Sequence, residues 1–193
     1  VFDTCVHTIL NEVNSYIKTR IGTNEEQVVY TNYADLELQQ RATSANHKNK
    51  IIMSVVDIVQ EAINQNPNTY VQQGNNYIIK NLPVNFYVHI LFAANYKDSQ
   101  VLEGLKYLSS IVAFFQYKNH FTTQNTPTLQ TSNLEEFSAF LVKLDYQQKE
   151  ALWSCLNTTY MPSVVYKIGM IPITDMPTFW QEIPAINKID NPS

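Results

Sequence analysis

An α+β fold, with helices packed on a single mixed or antiparallel sheet, is what the order of hydrophobic periods in this chain predicts. Three observations carry that expectation. The first twenty residues repeat apolar side chains at helical spacing. Two long apolar runs, Lys50 to Glu61 and Val84 to Asn95, are strand-like, and one strong amphipathic helix follows the second of them.

In chain order, Asp3 or Thr4 can cap an opening helix whose apolar positions are Val6, Ile9, Leu10, Val13 and Ile17, and Gly22 stops it. A short strand is expected near Gln27 to Asn32. Lys50 to Glu61 carries Ile51, Ile52, Met53, Val55, Val56, Ile58 and Val59, apolar on both faces as in an interior strand. Its length and its Gln60-Glu61-Ala62 end would also suit a helix, but the β-branched centre favours the strand. Asn64 to Asn76, rich in Asn, Gln, Pro and Gly, is expected to be a loop, with a short strand at Tyr77 to Ile79.

Val84 to Asn95 is the clearest strand. Phe86, Val88, Ile90 and Phe92 share one face; Asn85, Tyr87, His89 and Leu91 share the other. Asp98 or Ser99 then caps a helix with a stripe of Val101, Leu105, Leu108, Val112 and Phe115, widened by Leu102 and Ile111. Glu136 to Asp145 follows as a strand. Asp145 and Gln148 have capping-box spacing for a short helix holding Leu152, Trp153 and Leu156. Ser163 to Ile173 is the last expected strand, and Pro172 pushes that part of it to a sheet edge or terminus. Beyond Met176 no period persists. The expected division is a domain over 1–175 and an extended arm over 176–193.

Composition narrows the function classes. The 193 residues carry a formal net charge of −4, and only 16% are charged. Amides stand in for the missing charge, with 20 Asn and 14 Gln, a polar but weakly charged surface suited to other protein surfaces. Nucleic-acid binding needs clustered Lys and Arg, and His47-Lys48-Asn49-Lys50 is the densest basic run. Cys5 and Cys155 lie far apart and are expected as small buried hydrophobes. No secretory signal is visible, and no segment approaches the roughly 18 apolar residues of a membrane span.

Chemistry-bearing patterns are sparse. The four glycines, 22, 74, 104 and 169, are scattered, so no phosphate-cradling loop or dinucleotide fingerprint exists. None of His7, His47, His89 and His120 has a partner at a zinc-ligand spacing, so neither metal nor cofactor is expected. His89 shares its strand face with Asn85 and Tyr87; a hydrogen-bonded, half-buried ring is the ordinary expectation and a general base the sharper one. Glu25-Glu26 and Glu135-Glu136 adjoin strands, where successive side chains diverge. Phe179 and Trp180 stand side by side in the proline-bounded tail, either folded back on their own domain or anchoring a neighbour.

Several blocks, in order, resemble the cap, or tube-terminator, proteins of phage-tail-like contractile injection systems. They are the Thr8 to Tyr16 helix, Val28 to Asn32, Lys50 to Glu61, Asn85 to Asn95, Ile111 to Gln116 with Phe121 to Pro127, and Tyr160 to Ile171. The most specific are the Phe-Phe-Gln to Gln-Asn-Thr-Pro join and Pro162 to Lys167. The resemblance implies a tail-terminator-like fold and a structural, non-catalytic cap. Such a cap forms a homo-hexameric ring, alone or with a second cap protein, which ends the inner tube and meets the last sheath layer. It implies assembly in the bacterial cytoplasm, into a particle that is released or membrane-anchored. A ring needs edges and arms, so Val164, Tyr166 and Ile168 on the last strand and Phe179, Trp180 and Ile183 in the arm are the expected interface residues. Two other functions stand beside it: a binding module for a small apolar ligand near Tyr87 and Phe92, and a hydrolase built on His89 and an acid.

Overall fold

A computed structural model describes residues 1–32, 47–61, 69–73, 76–80, 84–132, 134–173 and 182–184. Helix α1, Phe2–Ile21, buries Cys5, Val6, Ile9, Val13 and Ile17, the face its periodicity predicts. It begins before Asp3 and Thr4, so neither caps it. It ends at Gly22, whose φ of 76° lies in the left-handed region and whose N–H reaches the Lys18 carbonyl.

The sheet is built from β1 (Val28–Tyr30), β2 (Lys50–Gln60), β5 (Val84–Asn95), β6 (His120–Thr122), β7 (Glu136–Val142) and β8 (Ser163–Ile173). Its spatial order is β1-β2-β5-β8-β7-β6. Only the β1–β2 pair is parallel; the other four are antiparallel. The sheet is therefore mixed, and the Lys50 run is a strand, as its β-branched centre requires.

The two faces of β5 meet different layers. Val88, Ile90, Phe92 and Ala94 pack under α1 and α2 (Val101–Tyr117), together with Ile51, Met53, Phe121, Phe137, Tyr166 and Ile168. Leu91 and Ala93 join Ile52, Val165 and Met161 beneath Trp153 of α3 (Tyr146–Cys155). The Asp145 carboxylate accepts from the Gln148 N–H and the Gln148 side chain from the Asp145 N–H, the expected capping box.

Several expectations are corrected. The α2 helix is entered through a 3₁₀ turn at Asp98–Gln100 with no side-chain cap, so Asp98 and Ser99 do not serve it. Its buried face is Gly104, Tyr107, Leu108, Ile111, Phe114 and Phe115, leaving Val101, Leu102 and Leu105 exposed. Gly104 explains that rotation. The Tyr96 ring lies so close that an added Cβ would sit 2.7 Å from it, and Tyr96 stacks on Tyr107. Cys155 is exposed, while buried Cys5 has its thiol pushed up to about 12 by loss of solvent.

Part of the expected Asn64–Asn76 loop is a strand. β3 (Thr69–Gln73), β4 (Asn76–Lys80) and β9 (Glu182–Pro184) form a second, three-stranded antiparallel sheet. Residues 182–184, beyond the expected boundary at 175, thus pair with β4 of their own chain, Ile183 standing opposite Tyr77.

Candidate assembly surface

Asn14 joins the helix layer to the start of the sheet. Its Nδ2 donates to the Val28 carbonyl at 2.9 Å, and its Oδ1 accepts from the N–H groups of Gln27 and Val28 at 3.1 and 3.0 Å. A buried amide satisfied on both ends holds β1 in parallel register on β2.

Of the residues expected to meet neighbours through the last strand, Tyr166 and Ile168 are inside the domain. Tyr166 stacks on Phe115, with ring centres 4.1 Å apart, and meets Phe92 edge-on. Its hydroxyl is pushed up to about 12 by burial. Ile168 is fully buried and Val164 is half-buried against the same core. The middle of β8 is not an edge, because β5 and β7 flank it together from Val165 to Gly169. Its first two residues and its end, where Pro172 stands, pass beyond β7. Phe179 and Trp180 lie outside the described residues.

Among the described residues, the open edges are elsewhere. β1 covers β2 only as far as Met53, and β6 covers β7 only as far as Ser138, with Asn119 taking the Ala139 N–H. The stretches left over carry exposed apolar side chains: Ile58 and Val59 on β2, at 46% and 41%, and Phe140 and Leu141 on β7, at 54% and 57%. Sequence reasoning missed them because the alternation of a strand reports its faces, whereas the side on which it lacks a neighbour leaves no periodic trace. The one available signal was Asp57, a charge inside an otherwise apolar run.

On the face away from α1 and α2, the Tyr87 ring lies on Gly169, where a Cβ would come within 2.9 Å, and the Lys167 ammonium sits 3.5 Å from the ring centre. The Tyr87 hydroxyl bonds the Glu61 carboxylate, which raises its pKa. Tyr87 and the fully buried Phe92 are on opposite faces of β5, so they cannot line one ligand pocket. His89 Nδ1 is 3.8 Å from the Asp57 carboxylate, beyond hydrogen-bond reach, and has no hydrogen-bond partner among the described residues. Desolvation lowers its pKa, with Asp57 opposing and Lys167 assisting. That geometry gives a hydrolase little to work with.

The remaining polar candidates have structural uses. Glu25 pairs with Lys50 at 3.2 Å and Glu26 with Lys18 at 3.7 Å. His120 meets Ser138 Oγ at 2.9 Å. Among the described residues no group of His, Cys, Asp and Glu could hold a metal ion, and no helix is long and apolar enough to cross a membrane. A shallow groove on α3, lined by Tyr146, Lys149, Trp153 and Tyr160, is open to solvent.

Residues 4–185 match the family described as the Pvc16 N-terminal domain. Two solved structures share the fold. One is the sheath/tube terminator of an extracellular contractile injection system, PVC, in its extended state, with a TM-score of 0.51 and 10% identity over 95% of this chain and 64% of that one. The other is the anti-feeding prophage cap, a tube-terminating cap, with a TM-score of 0.54 and 10% identity over 95% of this chain and 59% of that one. The chain thus spans about three fifths of the length of the structures it matches. None of the curated proteins matches it significantly.

Proposed function

The chain belongs to the Pvc16 N-terminal domain family, and from that premise we propose that it is a structural cap that terminates the inner tube of a contractile injection particle. The single observation that carries this reading is the family match over residues 4–185, nearly the whole sequence. The shared α+β fold of two terminators supports it. So does the chemistry: the most strongly placed polar groups, Asn14 and the capping box, are spent on structure.

In the finer form of the proposal the chain acts without catalysis. It stands as a homo-hexameric ring, alone or beside a second cap protein, on the last layer of tube protein and against the last layer of sheath protein. The particle assembles in the bacterial cytoplasm and then works outside the cell or from a membrane anchor. The arm over 176–193 reaches a neighbour through Phe179 and Trp180, while Ile183 is held in register opposite Tyr77 of its own chain. A ring of this kind closes by heterologous contacts.

The test is particle length, measured by electron microscopy in a producing strain that lacks the gene. Overlong, naked or unstable tubes, or the loss of intact particles, are expected. Intact particles of normal length, with complementation working, would overturn the reading.

A further inference from the structure

We propose that copies of this chain join edge to edge, the open end of β2 in one copy adding as an antiparallel strand beside the open end of β7 in the next. The proposal rests on the cap reading above and names the surfaces that would close its ring.

Both open stretches are backbone edges. Among the described residues, Ser54 to Gln60 of β2 has no strand on the side away from β5, and Phe140 to Val142 of β7 has none on the side away from β8. Their outward groups can be assigned from the bonds that flank them. The Ala139 N–H points outward to the Asn119 carbonyl, so two residues on Leu141 points outward as well. On β2 a bulge between Val55 and Asp57 shifts the phase. The Glu61 N–H turns inward to the Asn85 carbonyl, so Ile58 and Gln60, of the other parity, point outward.

Direction also agrees. β2, β5, β8 and β7 are joined by three antiparallel pairings, so β2 and β7 run in opposite senses. Copies related by rotation about an axis roughly along the strands therefore present β2 antiparallel to the neighbouring β7. Direct pairing of Ile58 with Leu141 puts Val59 opposite Phe140. Ile58 is cross-strand from Val88 and Leu141 from Tyr166, both on the face under α1 and α2. Val59 is cross-strand from Tyr87 and Phe140 from Lys167, on the other face. One register thus matches all four exposed apolar side chains, pair by pair and face by face.

The same register fits at its ends. Gln60 would come opposite Ala139, where Asn119 already occupies the edge, so the pairing stops after Val59. At the other end, exposed Lys143 falls opposite Val56, just past the last residue of β7. The contact is heterologous, because β2 meets β7 and never itself. Each added copy leaves one edge of each kind open until a ring closes, which also disposes of two exposed strand edges.

The test is a cysteine pair in the full chain, Val59→Cys with Phe140→Cys, in a Cys155→Ser background. Val59 and Phe140 would form the non-hydrogen-bonded pair, with Cα atoms about 4.5 Å apart, inside the roughly 4.4–6.8 Å span of a disulfide. Mild oxidation is expected to give a ladder of covalent oligomers on a non-reducing gel, from the purified chain or from intact particles. Asp57→Cys with Phe140→Cys, two residues out of register, is expected to give at least tenfold less. Leu141→Pro removes an outward N–H without touching the ladder to β8, and is expected to abolish association while the far-ultraviolet circular dichroism is kept. A ladder in neither sample, an equal ladder from the shifted pair, or full association of a folded Leu141→Pro chain would overturn the pairing. Particles that need and contain the chain but show no Val59–Phe140 crosslink would sink the pairing alone. Particles of normal length without the chain would sink the cap reading instead.

Discussion

The two faces of the six-stranded sheet are built differently. Under α1 and α2 the packing runs from Ala94 at one end of β5 to Phe86 at the other, where Phe2 meets it edge-on. It is dominated by rings: Phe92, Phe114, Phe115, Phe121, Phe137 and Tyr166 contact one another in a chain. Among the described residues the opposite face is packed only beneath α3, where Trp153 covers Leu91, Ala93 and Val165. Past His89 that face carries individual polar and aromatic contacts instead. One face holds the fold; among the described residues, the other face and the edges beside it are left partly uncovered.

The comparison predicts unequal costs for the same kind of truncation. Phe92→Ala, on the packed face, is expected to destabilise the chain by about 3–5 kcal/mol, because a fully buried ring leaves a cavity among rigid neighbours. Phe140→Ala, on the open face, is expected to change stability by less than about 0.5 kcal/mol. Urea unfolding of the isolated chain measures both. Similar costs would mean that the open face is covered within the monomer. An intermediate loss, about 2–3 kcal/mol, is expected for Asn14→Ala, which leaves the N–H groups of Gln27 and Val28 and the Val28 carbonyl without their buried partner. Hydrogen exchange should then lose protection at Gln27 and Val28 before it does so at Ile90.

What was legible in the sequence follows the same division. The α1 face, both long strands, the Asp145 capping box and the alternation of β5 were written in local periods, which depend only on neighbours a few residues away. The α2 stripe was displaced because its bearing surface is set by Gly104 against Tyr96, a contact outside the helix. Val164, Tyr166 and Ile168 were expected at an interface because a ring needs edges, and Pro172 marked part of their strand as an edge or terminus. That restriction applies where the proline stands, and β8 has left β7 by then. Strand order is a long-range property. Neither β-propensity nor a proline records which strands stand on either side, and so the open lengths of β2 and β7 stayed hidden.

The smallest expected effect belongs to the open face and concerns pH. His89 is held below the ordinary histidine pKa chiefly by desolvation; Lys167 adds to that and Asp57 opposes it. The groups facing it from the adjoining strands are those two, Asp57 on β2 and Lys167 on β8. With a depressed folded pKa, the unfolded chain takes up the proton first as pH falls. The contribution of a neutral His89 to stability is therefore present above about pH 6.5 and is lost progressively below it. Thermal unfolding midpoints should fall from pH 7 to pH 5 by more in the wild-type chain than in His89→Gln. Asp57→Asn, which removes the opposing charge, should lower the His89 titration midpoint further, as read from its ring proton shifts. A His89 midpoint above that of free histidine would mean that the carboxylate outweighs desolvation, and would restore an ion pair to a face where the geometry gives only a 3.8 Å approach.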